Sequence, residues 1–238
     1  MHKHFYAQLE LPPSQNRPFV ALNMVASLDG KVTSRGRLDP GSLGSTFDRK
    51  TMNVIRSHFD AVLAGGNTIR QHPYYLGVPK ELEVKRRERG LAAQPLTVLL
   101  TKSGQLDPLG PVFATPPRPP VIITTTKGAK NLPTPIKEVA IVEILGEQQG
   151  PQALCQLLWE EHQVSHLLVE GGPSVNYQFC QDRHVDQIFF TLAPRIVGAS
   201  NDLTMIMGPK VLPSANQINL LSMNKHGDEL FLRYEINW

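Results

Sequence analysis

Short runs that are almost wholly apolar recur along the 238-residue chain. Phe19-Val20-Ala21-Leu22-Asn23-Met24-Val25-Ala26, Asp60-Ala61-Val62-Leu63-Ala64, Leu96–Thr101, Val121–Thr126, Val139–Ile144, Leu167-Leu168-Val169 and Gln187–Leu192 read as continuous hydrophobic stretches. They predict strands covered on both faces, as in a parallel sheet. Between them the pattern changes to a three- and four-residue spacing. Ser45-Thr46-Phe47-Asp48 has the form of a capping box, and Met52, Ile55 and Phe59 follow at helical intervals. Pro151 stands where a helix starts, with Leu154, Leu157 and Leu158 behind it. Lys80 to Arg89 predicts a short helix whose mixed charges face solvent. At the C-terminus, Ile218–Met223 and Glu229–Ile236 flank Asn224-Lys225-His226-Gly227-Asp228, a hairpin signal.

Strands alternating with helices predict an α/β fold of three layers, α-β-α, around a mostly parallel sheet with an antiparallel C-terminal hairpin. Residues 1–17, with Pro12-Pro13, read as an N-terminal arm, and 18–238 as a single domain. The Gly-, Pro- and Ser-rich segment Arg35–Gly44 reads as a loop able to cover something.

Composition narrows the partners more than the chemistry. Charged residues make up 19% of the chain and the net charge is +3, too small to suggest nucleic-acid binding without a clustered basic face. No apolar run approaches the ~18 residues of a membrane span, and the first residues lack a signal-peptide core. These features predict a soluble, cytoplasmic protein whose partner is neither nucleic acid nor a membrane. Cys155 and Cys180, the two cysteines, make no C-x-x-C pair and read as buried small hydrophobes. The eight histidines are scattered, so no metal site is expected. Neither a P-loop nor G-x-G-x-x-G after the first strand is present, nor G-x-S-x-G.

Two glycine pairs at strand ends carry the remaining signal. Leu167-Leu168-Val169-Glu170-Gly171-Gly172-Pro173-Ser174 is a strand, a side-chain-free turn and a helix start, and such a helix N-terminus favours a phosphate. Gly65-Gly66-Asn67-Thr68 repeats the design, and two such loops suit the separate portions of a dinucleotide. An ordinary β–α turn accounts equally for either pair taken alone. Asp29, in Ser27-Leu28-Asp29-Gly30-Lys31, and Glu170 are acids at strand ends; Asp-Gly is also a common turn pair.

In order along the chain, Ala26-Ser27-Leu28-Asp29-Gly30-Lys31, Val54-Ile55-Arg56, Asp60 to Thr68, Leu168 to Gly172, and Val185-Asp186 through Ala193-Pro194-Arg195-Ile196-Val197-Gly198 resemble the pyrimidine reductase family of riboflavin biosynthesis. That family has a dihydrofolate-reductase-like fold and forms the C-terminal half of a bifunctional deaminase-reductase. The resemblance implies NADPH as hydride donor, a ribosylamino-pyrimidine as acceptor, 5-amino-6-(5-phosphoribosylamino)uracil above all, and a homodimer. It places Gly65, Gly66, Thr68, Gln71, Ser103, Gly171, Gly172, Pro173 and Ser174 on the cofactor. Asn23, Ser27, Asp29, Ser45, His72 and Glu170 are placed around the substrate, with Asp29 or Glu170 relaying a proton.

Two departures stand out. The zinc deaminase half, with H-x-E and P-C-x-x-C, is not in this sequence, which predicts a reductase unit alone. Where the family continues from the threonine to Asp-Asp-Pro-x-Leu and an arginine, this chain has Gln71-His72-Pro73-Tyr74-Tyr75-Leu76-Gly77-Val78. Arg37, Arg49 or Arg70 is then the substitute phosphate partner. A dihydrofolate-reductase-like enzyme for a pterin, and a non-catalytic nucleotide-binding module, stand as the rival readings.

Overall fold

A computed structural model describes residues 4–33, 43–114 and 116–238. Its strands are β1 (Phe19–Ser27), β2 (Ala61–Gly65), β3 (Leu96–Thr101), β4 (Val121–Thr124), β5 (Ile141–Ile144), β6 (His166–Val169), β7 (Gln187–Ala193), β8 (Gln217–His226) and β9 (Glu229–Asn237). They form one sheet in the order β5-β4-β3-β2-β6-β1-β7-β9-β8. Neighbours from β5 to β7 are parallel, and β9 pairs antiparallel with both β7 and β8. The architecture is the expected mostly parallel sheet with a C-terminal hairpin.

The helices are α1 (Thr46–Arg56), α2 (Gly66–Gln71), α3 (Lys80–Glu88), α4 (Pro111–Ala114), α5 (Thr126–Asn131), α6 (Thr134–Val139), α7 (Pro151–Glu160) and α8 (Pro173–Gln181). Successive side chains of a strand point to opposite faces, and the core divides accordingly. Val20, Leu22, Leu63, Val98 and Val169 pack against Leu154 and Leu158 of α7 and Phe179 of α8. Ala21, Val62, Leu99 and Leu168 pack on the other face against Ile55 of α1, Ile69 of α2, Phe113 of α4 and Ile136 of α6. Cys155 and Cys180 are free thiols within the first of these layers.

Several local expectations change. The short helices α2, α4, α5 and α6 were not predicted, because four to six residues are too few for a helical period to register. The capping box is half formed. Ser45 Oγ accepts from the amides of Phe47 and Asp48, but the amide of Ser45 donates to Glu229 on β9 at 2.8 Å, not to Asp48. The charged stretch of α3 is not wholly solvated either. Arg86 is buried and donates to the carbonyls of Arg56 at 3.2 Å and Phe59 at 2.6 Å, tying off the end of α1. The covering role expected of Arg35–Gly44 falls largely on residues outside the described ones.

The arrangement around β2 and β6 positions the site. These strands are adjacent and parallel, yet β2 leads outward to β3 while β6 leads across β1 to β7. Where neighbouring strands send their connections in opposite directions, a crevice opens beyond their C-terminal ends.

Candidate active site

Both glycine pairs lie at that crevice and touch. The amide of Gly65 donates to the carbonyl of Gly171 at 2.7 Å. Gly171 has φ +81°, a conformation that glycine adopts without strain. A methyl group on Gly66 would come within 2.8 Å of Thr101, and one on Gly172 within 2.8 Å of Thr68 Oγ1. Gly65 and Gly172 are the N-caps of α2 and α8, and neither helix has a side-chain cap. Two helix starts therefore present bare amide groups to one space, an arrangement that suits an extended anionic ligand. That space is a cavity of about 540 Å³ lined by Gly65, Gly66, Thr68, Gln71, Ser103, Gly172, Pro173 and Ser174 among others. Lys102 and Arg70 supply cations along its wall.

A second cavity, of about 470 Å³, adjoins the first at Thr68, which lines both. Asn23, Asp48, Arg49, Arg56, His72, Tyr74 and Glu170 line it. At its base, Arg56 Nε and Nη2 donate to the two carboxylate oxygens of Glu170 at 2.7 and 2.6 Å. The two side chains are 2% and 4% exposed, so the bidentate pair is desolvated and its geometry fixed. Arg56 Nη1 donates to the carbonyls of Tyr75 and Gly77, while the Tyr74 ring lies 5.4 Å from its guanidinium. The Tyr74 hydroxyl donates to Glu170 at 3.3 Å. Burial works against the charge on Arg56, and the Glu170 carboxylate overrides it, holding the guanidinium above its ordinary pKa. Burial, then the neighbouring Glu170, push the Tyr74 phenol up, so it remains a donor.

Asp29 is placed elsewhere. Its carboxylate accepts from Ser27 Oγ at 2.6 Å and from the amides of Val197 and Gly198 at 3.0 and 2.7 Å. Those hydrogen bonds hold it well below the usual carboxylate range, the opposite of what a proton donor needs. Ser27 is buried in the same turn, accepting from the amide of Lys31. Ser45 caps α1 and lines a separate depression with Glu229 and His226. Thus Asn23, His72 and Glu170 meet in the second cavity, whereas Asp29, Ser27 and Ser45 do not line it. Of the three arginines offered as phosphate partners, Arg49 lines the second cavity and Arg70 the first, and Arg37 lies outside the described residues. No group of three His, Cys, Asp or Glu side chains among the described residues is placed to hold a metal ion.

The model of the RibD C-terminal domain matches residues 18–232. The chain belongs to this family. It is 28% identical over 228 residues to a 2,5-diamino-6-ribosylamino-4(3H)-pyrimidinone 5′-phosphate reductase from Aquifex aeolicus, covering 92% of this chain and 97% of the relative. A longer relative, the riboflavin biosynthesis protein RibD of Chlamydia pneumoniae, is 25% identical and is covered over 62% of its length. Among solved structures, a pyrimidine reductase-like protein from Corynebacterium diphtheriae superposes with a TM-score of 0.81 at 22% identity, covering 94% of this chain and 93% of the other. A dihydrofolate reductase from Enterococcus faecalis, complexed with NADP(H), gives a TM-score of 0.52 at 12% identity, covering 95% of this chain and all of the other. The fold is that of the RibD reductases, with a likeness to dihydrofolate reductase, and the chain is an oxidoreductase of a reductase family.

Within this RibD-type frame, the departure at 71–78 has a structural content. In place of paired acids and an arginine, the segment supplies two backbone carbonyls and the Tyr74 ring, all spent on Arg56. Asp48, Arg56 and Tyr74 were not singled out as site residues. Asp48 was hidden in a capping motif and Arg56 in a helix end; the one usable signal was an arginine on the last turn of a helix whose other face is apolar.

Proposed function

We propose that the protein is an NADPH-dependent reductase of a phosphoribosylaminopyrimidine, converting its ribosylamino group to ribitylamino in riboflavin biosynthesis, as a cytoplasmic homodimer. The junction at Thr68 carries this reading: a glycine-floored cavity with two uncapped helix starts opens onto a second cavity rich in fixed polar groups. The near-full-length relatives named as pyrimidine reductases support the same conclusion. A reduced nicotinamide, when bound, supplies the hydride. In this reading Ser174 and the start of α8 hold the diphosphate, Lys102 and Ser103 take the adenosine side, and Thr68 with Gly65 and Gly66 guide the reactive end. Glu170, fixed by Arg56, accepts hydrogen bonds from the pyrimidine, His72 and Asn23 border it, and Arg49 faces its phosphate. The exposed Ile218, Leu220 and Met223 on the edge strand β8 support pairing of two copies.

Titrating the protein with NADPH and NADH, and then following nicotinamide oxidation with three acceptors, tests the reading. Saturable micromolar binding of NADPH, tighter than NADH, is expected. Turnover is expected with 5-amino-6-(5-phosphoribosylamino)uracil or its 2,5-diamino-pyrimidinone counterpart, the compound that names the Aquifex relative. Turnover of dihydrofolate alone would favour a pterin reductase, and binding without turnover a nucleotide-binding module.

A further inference from the structure

We propose that Asp48 is the acid that protonates the acceptor as it is reduced. This rests on the reductase reading and adds to it the source of the proton. Among the described residues three acids come into question near the crevice, and their surroundings separate them. Asp29 is turned toward the amides of 197 and 198. Glu170 has both oxygens engaged by Arg56, and a proton there would break a bidentate pair around a buried guanidinium. Asp48 sits in the first turn of α1 and lines the same cavity as Asn23, Arg56, His72 and Glu170.

Asp48 is closely packed where it borders the cavity. Gly44 lies against it, and a methyl group there would stand 2.1 Å from Oδ2, so a side chain at 44 would cover the acid. From β7 the Thr191 hydroxyl hydrogen-bonds it. Glu229 faces it from β9, Glu170 from the end of β6 and Arg49 from its own helix, while Arg56, His72 and Tyr74 share the cavity. The Thr191 hydroxyl, then Arg49, favour the ionised form, as does a helix start. Burial first, then the two neighbouring carboxylates, outweigh them and raise the group to about 6. An acid in that range is matched to proton transfer near neutral pH.

The step balances with one hydride and one proton. A reduced nicotinamide would supply the hydride for the new C–H bond at the acceptor carbon, and the π pair of the C=N or C=O bond would pass to the heteroatom. That atom takes the proton as the O–H bond of Asp48 breaks, and solvent reprotonates the carboxylate.

Asp48→Asn and His72→Gln, each compared with the wild type, test the assignment. The wild-type kcat/KM is expected to fall as pH rises through about 6, where Asp48 loses its proton. Asp48→Asn should lose that dependence and lower kcat by about 100-fold or more, with NADPH affinity and melting temperature retained. Carbon-13 NMR of the aspartate carboxyls supplies a readout independent of turnover: one resonance should titrate near 6 and be missing from Asp48→Asn. Wild-type kcat in Asp48→Asn, a pH dependence abolished by His72→Gln instead, or no carboxyl titrating in that range would overturn the proposal. Absence of NADPH turnover in the wild type would instead count against the reductase reading.

Discussion

Asp29 and Glu170 stand in equivalent places along the chain, each an acid next to glycine at the end of a buried parallel strand, yet they do unlike things. Register explains the difference. Leu22 of β1 pairs with Val169 of β6, so Glu170 leaves the sheet at the level of Asn23. β1 continues to Ser27, four residues and roughly 13 Å farther on. Glu170 therefore enters the crevice and meets Arg56, whereas Asp29 clears it and caps the turn at 197–198. An acid at a strand end takes its role from where its neighbours stop.

Substitutions should break this contrast in graded steps. The largest effect is expected from Glu170→Ala, which leaves Arg56 buried without its partner. A loss of about 3–5 kcal/mol, a fall in Tm on the order of 10 °C, and no measurable turnover are expected; a variant that melts with the wild type would mean the pair is not desolvated. Gly172→Val comes next. Its side chain would intrude on Thr68, where a methyl would stand 2.8 Å from Oγ1, so NADPH affinity should fall by about tenfold or more in a fluorescence titration, with the Arg56–Glu170 pair kept. Asp29→Asn should be the mildest, with kcat unchanged. Because the folded-state pKa of Asp29 is depressed, its contribution to stability is present above the unfolded value and disappears as pH falls through the folded one. The Tm difference from wild type should therefore be seen at neutral pH and vanish in strong acid. A loss of kcat in Asp29→Asn would restore this residue to the reaction.

The sheet was legible because its signal is local and redundant: continuous apolar runs, each ending near glycine, proline or an acid. The glycine floor of the first cavity was legible for a related reason, since Gly65-Gly66 and Gly171-Gly172 mark close approaches or a positive φ. Side chains whose meaning depends on a partner far along the chain were not. Arg56 and Glu170 are 114 residues apart, and nothing local to either announces the pair. Asp48 read as a helix cap because its neighbours in sequence are capping residues. Its acid neighbours come from β6 and β9, and Glu229 takes the reciprocal bond to Ser45 that a capping box assigns to the helix itself. Arg86 looked solvated for the same reason: the carbonyls it holds belong to the end of α1.

The central claim is that the glycine-floored cavity and the acid-lined cavity serve one reaction across Thr68. Deuterium-labelled NADPH, mixed with the protein and the phosphoribosylaminopyrimidine and followed by mass spectrometry of the product, tests it directly. The account predicts one deuterium on the former ribosyl carbon of a ribitylamino product, with the remaining hydrogen taken from solvent. NADPH bound tightly with no label transferred to either pyrimidine would contradict it.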